Sequence, residues 1–142
     1  MSKRCGECGS TDLKLKKNSG PFPWKDFTKV FLTKPIQLLT CSCGNHILRH
    51  EDISILDKKI EESVQEQTQR LIDSILEREH CSQVELAHRI GVTPQHLSAL
   101  KSGAKTAGFQ TFNFLKTLAL DERAYKVADP EAQVGNLKKV AG

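Results

Sequence analysis

The sequence predicts an α+β chain in two parts, a small β ribbon followed by an all-helical domain. Three observations carry that expectation. Two close cysteine pairs bracket a stretch rich in β-formers. A long run of helical apolar periodicity follows them. Within that run a glycine-centred turn separates two short amphipathic segments, each opened by a hydroxyl residue. The composition is that of an ordinary globular chain, with 38% hydrophobic and 27% charged residues among 142. This length excludes a barrel enzyme of about 250 residues. No apolar run reaches the ~20 residues that cross a bilayer. The start, Met-Ser-Lys-Arg-Cys-Gly-Glu-Cys, lacks the roughly 7–15 apolar residues of a signal peptide. A cytoplasmic protein with no membrane partner is therefore expected. In a reducing compartment, close cysteines bind metal more often than one another.

The ribbon is expected over residues 1–51. Cys5-Gly6-Glu7-Cys8-Gly9 sets two thiols on one tight turn, with glycines for the backbone angles the turn needs. Thirty-two residues lie between Cys8 and the second pair, Cys41-Ser42-Cys43-Gly44. Four thiolates are the soft tetrahedral set that Zn²⁺ prefers. One structural Zn²⁺ held by Cys5, Cys8, Cys41 and Cys43 is expected. The second pair is Cys-x-Cys, one residue short of the usual knuckle, so His46 stands as an alternative ligand with His50 beyond it. Four protein ligands leave no open position for a metal-bound water. With no carboxylate pair or phosphate loop in view either, no enzyme is expected. Leu13-Lys14-Leu15-Lys16 alternates with period two, and Phe27–Leu32 is rich in β-formers, so both predict strands. Gly20, Pro21 and Pro23 mark a turn between them. Phe22, Trp24, Phe27 and Phe31 stand among lysines. Their expected role is the ribbon's small core, and the alternative is a basic aromatic face that stacks on single strands or docks a partner.

Residues 52–67 read as a helical, acidic connector. Ser54-Ile55-Leu56-Asp57 has the form of a capping box, and Leu56, Ile60 and Val64 follow at spacing four. Gln65 to Arg70 is wholly polar, so the helix either runs on or hinges near Gln65–Gln69, as a spacer or a dimer contact. Charge supports a three-way division. Residues 1–50 hold nine basic and three acidic side chains, residues 51–81 four and nine, and residues 82–142 eight and five. The bland overall +4 thus conceals balances of +6, −5 and +3.

Residues 68–128 predict an all-α domain. Leu71, Ile72, Ile75 and Leu76 supply its first helix. Ser82 caps a second helix whose inner face is Leu86, Ala87 and Ile90. Gly91 ends it through a left-handed turn, and Val92 fills the corner. Thr93 caps a third helix, Pro94 takes its first position, and Leu97 and Leu100 face inward. Phe109, Phe112, Leu115, Leu118 and Leu120 give a helix that closes the bundle. Two helices crossing over so short a turn form a helix-turn-helix. Its second helix enters the DNA major groove led by its N-terminal residues, which puts Thr93, Pro94, Gln95, His96 and Ser98 toward bases. Gln95 can bond adenine N6 and N7 together. Lys101, Ser102 and Lys105 are placed to contact phosphate. Cys81 is expected as a buried, inert thiol beside the Ser82 cap, not as a nucleophile paired with His80. The tail over 129–142 is expected to be flexible.

Ser82-Gln83-Val84-Glu85-Leu86-Ala87, Gly91-Val92-Thr93, Leu97-Ser98-Ala99-Leu100 and Gly103 resemble the Xre-type (phage-repressor-like) helix-turn-helix domains. With the cysteine pairs ahead of them, the whole chain resembles the MqsA/YgiT-type antitoxins. The resemblance implies that Gln83 clamps a phosphate at the start of its helix. It also implies a transcriptional repressor that binds double-stranded DNA as a homodimer on a pseudo-palindromic operator. The protein would then be the antitoxin of a type II toxin–antitoxin pair, autoregulating its operon and holding a protein toxin through its N-terminal domain. The alternative is a solitary zinc-ribbon regulator or adaptor whose basic N-terminal domain binds RNA or another protein.

Overall fold

The computed structural model describes residues 4–129, so the tail expected over 129–142 lies, Asp129 apart, outside the described residues. The chain is α+β, with a small antiparallel sheet region followed by helices. It divides into two compact units, residues 1–66 and 67–142.

In the first unit, β1 (Leu13–Asn18), β4 (Ile36–Cys41) and β5 (His46–Ile47) form an antiparallel sheet in the order β1-β4-β5. Leu13 stands opposite Cys41 and Asn18 opposite Ile36. The turn expected at residues 20–23 carries more structure than that, because β2 (Phe22–Trp24) pairs with β3 (Phe27–Val30) as a hairpin. Gly20 opens it at φ +101, and a Cβ there would lie 2.7 Å from the Val30 carbonyl oxygen. The pairing is irregular between Phe22 and Trp24. Pro23 falls at that irregularity, where its missing N–H costs the ladder nothing.

Phe22, Trp24, Phe27, Val30, Leu32 and Leu38 are buried, while Phe31 is 58% exposed. Three of the four aromatics are thus core and Phe31 alone of them is exposed, while Lys25 Nζ lies 4.5 Å over the Trp24 ring. Helix α1 (His50–Glu79) completes this core, with Leu56, Ile60 and Val64 buried. Trp24 Nε1 donates to Asp57 Oδ1 at 2.8 Å, and the Thr33 N–H donates to Ser63 Oγ at 3.1 Å. The stretch read as a connector over 52–67 is therefore structural to the first unit. The physical reason is area, since fifty residues with few aliphatics expose too much of what they could bury.

Helix α1 begins four residues before the Ser54 box. Asp52 decides this. Its Oδ2 accepts from the Arg49 backbone N–H at 3.0 Å and from Arg49 Nε at 2.9 Å, and Arg49 Nη2 reaches Oδ1 at 3.0 Å. A carboxylate in the first turn reaches back to a backbone N–H that would otherwise lack a partner, as the third residue of a capping box does. Ser54 lies inside the helix and is exposed, and the helix continues through Gln65–Gln69.

In the second unit, the last turns of α1 are followed by α2 (Gln83–Ile90), α3 (Pro94–Ser102), α4 (Phe109–Leu120) and α5 (Glu122–Val127). Ile72, Ile75, Leu86, Ala87, Leu97, Leu100, Leu115, Leu118 and Tyr125 share one buried cluster. Two arginines hold helix ends in it. Arg78 donates to the Leu118 and Ala119 carbonyls, each at 2.7 Å. Arg89 donates to the Tyr125 carbonyl at 2.8 Å, with its guanidinium 4.1 Å above the Tyr125 ring. Cations there meet the last carbonyls of α4 and α5, where the helix leaves negative partial charge. Cys81 is half-buried against this core rather than fully enclosed. Among the described residues, no helix is long and apolar enough to cross a membrane.

Ile60→Ala should destabilise the first unit by about 2–5 kcal/mol, as for a buried core position. Denaturant unfolding followed by the fluorescence of Trp24, the one tryptophan, measures it. A change within about 0.5 kcal/mol would return Ile60 to a solvated connector.

Candidate metal centre and the α2–α3 face

Two turns carry the cysteines, and the sheet brings them together. The first is closed by Gly9 N–H to the Cys5 carbonyl and Cys5 N–H to the Ser10 carbonyl, both at 2.9 Å. The second is closed by Gly44 N–H to the Cys41 carbonyl at 2.8 Å and Cys41 N–H to the Asn45 carbonyl at 2.9 Å. Gly9 and Gly44 sit at φ +71 and +95, a region that glycine enters without cost. Strand β1 departs from the first turn and β4 ends on the second. The Ser42 N–H reaches the Asp12 carbonyl at 3.2 Å, tying one turn to the other.

The result is four sulfurs all within 4.8 Å of one another. Cys5 Sγ lies 3.6 Å from Cys43 Sγ, and Cys8 Sγ lies 3.3 Å from Cys41 Sγ. A tetrahedron with metal–sulfur bonds of about 2.3 Å has sulfur–sulfur edges of about 3.8 Å. The cluster fits a structural metal ion with little movement. Cys5 and Cys41 are buried and Cys8 and Cys43 exposed, so the set forms a pocket with a wet rim. Among the described residues, no other group of His, Cys, Asp or Glu converges in this way. His46, the alternative ligand, lies on β5 and is exposed, with its ring Nε2 2.9 Å from Asn18 Nδ2.

The electrostatics divide the four thiols into pairs. Backbone N–H groups of Cys8 and then Glu7 hold the Cys5 thiol down to about 6. The Cys43 N–H lowers Cys41 in the same way. The Ser10 N–H also pulls on Cys8, but the Cys41 and Cys43 sulfurs outweigh it and push Cys8 up to about 12. At Cys43 the Asn45 N–H lowers and the Cys41 sulfur raises, with a net rise. Two thiolates form readily and the other two resist joining them, until a cation shares the charge. Asn45, which the spacing argument passed over, donates from Nδ2 to Cys5 Sγ at 3.6 Å. Its place two residues after Cys43 was the available signal.

In the second unit, α2 and α3 are joined by Gly91-Val92-Thr93. Ser82 Oγ accepts from the Glu85 N–H at 3.2 Å, Gly91 is left-handed at φ 76, and Thr93 Oγ1 accepts from the His96 N–H at 3.1 Å. Both caps and the turn stand where the sequence puts them. On α3, Leu97 and Leu100 are fully buried. Thr93, Pro94, Gln95, Ser98, Ser102 and Lys105 are exposed, and Gln83, His96 and Lys101 half-buried. Thr93, Gln95, His96 and Lys105 line one surface concavity of about 510 Å³, with Gly91, Val92 and Ala99 as its apolar wall. Gln83, Pro94, Ser98, Lys101 and Ser102 lie outside that lining. Lys101 Nζ pairs with Asp73 Oδ1 at 3.7 Å, and Ser102 Oγ donates to the Ala99 carbonyl at 3.2 Å. The Asp73 partner was not legible in sequence, being on another helix.

Metal affinity should fall as pH drops from 8 to 6, because protons compete for the two raised thiols first and for Cys5 last. A chelator competition titration across that range reads it, and a flat profile would contradict a thiolate site. Cys41→Ser should leave less than half an equivalent of bound metal by elemental analysis. Compared with known proteins, the chain matches no family model, no curated protein and no solved structure.

Proposed function

We propose that the protein is a sequence-specific DNA-binding transcriptional repressor whose N-terminal unit is held by one structural Zn²⁺. The observation that carries the reading is α3 itself. It is capped at both ends and pinned from below by Leu97 and Leu100, and it presents Gln95 and Ser98 to solvent beside a three-residue turn. A helix held this rigidly, with short polar side chains outward, suits the major groove. Gln95 reads adenine, His96 and Ser98 supply weaker contacts, and Lys105 meets phosphate. Lys101, bound to Asp73, contributes less. Zinc suits the first unit because all four donors are thiols at tetrahedral spacing, which leaves no vacancy for catalysis. A homodimer on a pseudo-palindromic operator doubles the few base contacts of one such helix.

The sharper form, resting on the resemblance to MqsA/YgiT-type antitoxins, is that the zinc unit holds a protein toxin and the helical unit represses the shared operon. A second reading is an adaptor whose basic first unit binds RNA or another protein. Exposed Lys14, Lys16 and Lys17 along β1, with 58%-exposed Phe31, favour it.

A gel-shift series with the protein's own upstream duplex separates them. The repressor requires retention of that duplex over unrelated DNA at moderate salt, and equal binding of both would overturn it. Gln95→Ala should cost about 1–3 kcal/mol and relax one base position. Lys105→Ala should weaken all duplexes alike, and more than Lys101→Ala does.

A further inference from the structure

The four sulfurs do more than satisfy a tetrahedron. The two short sulfur–sulfur contacts, 3.6 Å between Cys5 and Cys43 and 3.3 Å between Cys8 and Cys41, both run from one turn to the other. Each joins an exposed sulfur, Cys43 or Cys8, to a buried one, Cys5 or Cys41. The competing pairing within the second turn would close a small ring around Ser42 alone. The sheet already holds the two turns side by side, through Leu13 opposite Cys41 and the Ser42–Asp12 bond.

We propose that the cluster is a thiol–disulfide switch whose oxidised form joins Cys5 to Cys43 and Cys8 to Cys41. The oxidant is hydrogen peroxide or another small hydroperoxide. The exposed sulfur of Cys8 attacks one peroxide oxygen, the O–O bond breaks, and hydroxide leaves with its electron pair and takes up the Cys8 thiol proton as water. The resulting sulfenic acid faces the buried thiolate of Cys41. Cys41 Sγ attacks that sulfur, the S–O bond breaks, and a second hydroxide leaves and is protonated. Cys43 and Cys5 repeat the sequence with a second peroxide. Each disulfide consumes one peroxide, one thiol, one thiolate and one proton and yields two waters.

Two consequences distinguish this from simple damage. The donors are withdrawn from any bound cation, so metal is released. The covalent links then replace it at the same place between the same turns, so β1 and β4 keep their register. Oxidation thus trades one cross-link for another instead of opening the unit. Four thiolates around a divalent cation carry two net negative charges, whereas two disulfides carry none, so the isoelectric point rises on oxidation.

The test uses the full chain carrying Cys81→Ser, which removes the fifth thiol from exchange. The proposal rests in part on the reading that the cluster holds zinc, so zinc is measured first by elemental analysis. Linkage is then mapped after peroxide treatment whether or not zinc was present. Cleavage after Glu7 separates Cys5 from Cys8, and fragmentation of the linked peptides separates Cys41 from Cys43. The expected result is Cys5–Cys43 and Cys8–Cys41 as the dominant links. Zinc, if bound, should leave in step with them. The far-ultraviolet spectrum should be kept, the isoelectric point should rise, and dithiothreitol should restore four thiols. In Cys8→Ser the Cys5–Cys43 link alone should form, which keeps the assignment testable even if that variant cannot hold metal. Links within one turn, links between chains, sulfinic acid without disulfide, or four unreacted thiols would each overturn the proposal. A chain without zinc that still forms the cross-turn links would overturn the zinc reading and leave the switch standing.

Discussion

The first unit depends on the register of β1 against β4. Leu13 opposite Cys41 is the pairing that carries the first cysteine turn to the second. A slip of one residue would turn every side chain of one strand to the other face and separate the sulfurs. Sheet and cluster therefore enforce each other. The ladder sets the thiols at tetrahedral spacing, and the thiols, once joined through a cation, forbid the slip. A three-stranded sheet whose β1 is exposed along most of its length needs such a lock, because its own apolar burial is small.

The second unit is organised differently. Its stability comes from apolar burial, and its polar interactions serve mainly to finish helices. Arg78 and Arg89 are spent on carbonyls at the ends of α4 and α5, and Lys101 on Asp73. Formal charge therefore overstates what this unit offers to an anionic ligand. A balance of +3 over residues 82–142 counts Arg89 and Lys101 in full, though both are already engaged inside the protein. Among the described residues, Lys105, exposed on the concavity, is the cation of this face left to act outward.

What sequence could reveal followed the range of the interaction. The caps at Ser82 and Thr93, the left-handed Gly91 and the inward Leu97 and Leu100 all rest on contacts within a few residues, and all were legible. The four-cysteine cluster was legible too, because metal chemistry restricts which residues can converge. The failures were of longer reach or of competing caps. Ser54 made a plausible helix start, but Asp52 had the guanidinium and backbone N–H of Arg49, three residues before it, to bind. Leu56, Ile60 and Val64 showed their helical spacing, yet nothing local said that Trp24 and Thr33 waited on the other side. The hairpin was hidden because Pro21 and Pro23 read as a turn, and only its irregular pairing makes room for a proline in a strand.

The bond from Trp24 to Asp57 has a consequence for the order of events as the chain is made. All four thiols have been synthesised once residue 43 is out, but the apolar closure of the same unit needs Val64, about twenty residues later. Until then Trp24 and Phe27 have no helix to cover them. A nascent chain thus owns a complete set of metal donors before it owns a core, and a cation captured at that stage would hold the ribbon closed while its cover is still being added. The long-range contacts that finish the unit then form across a loop already shortened by the cross-link, which lowers the entropy they must overcome.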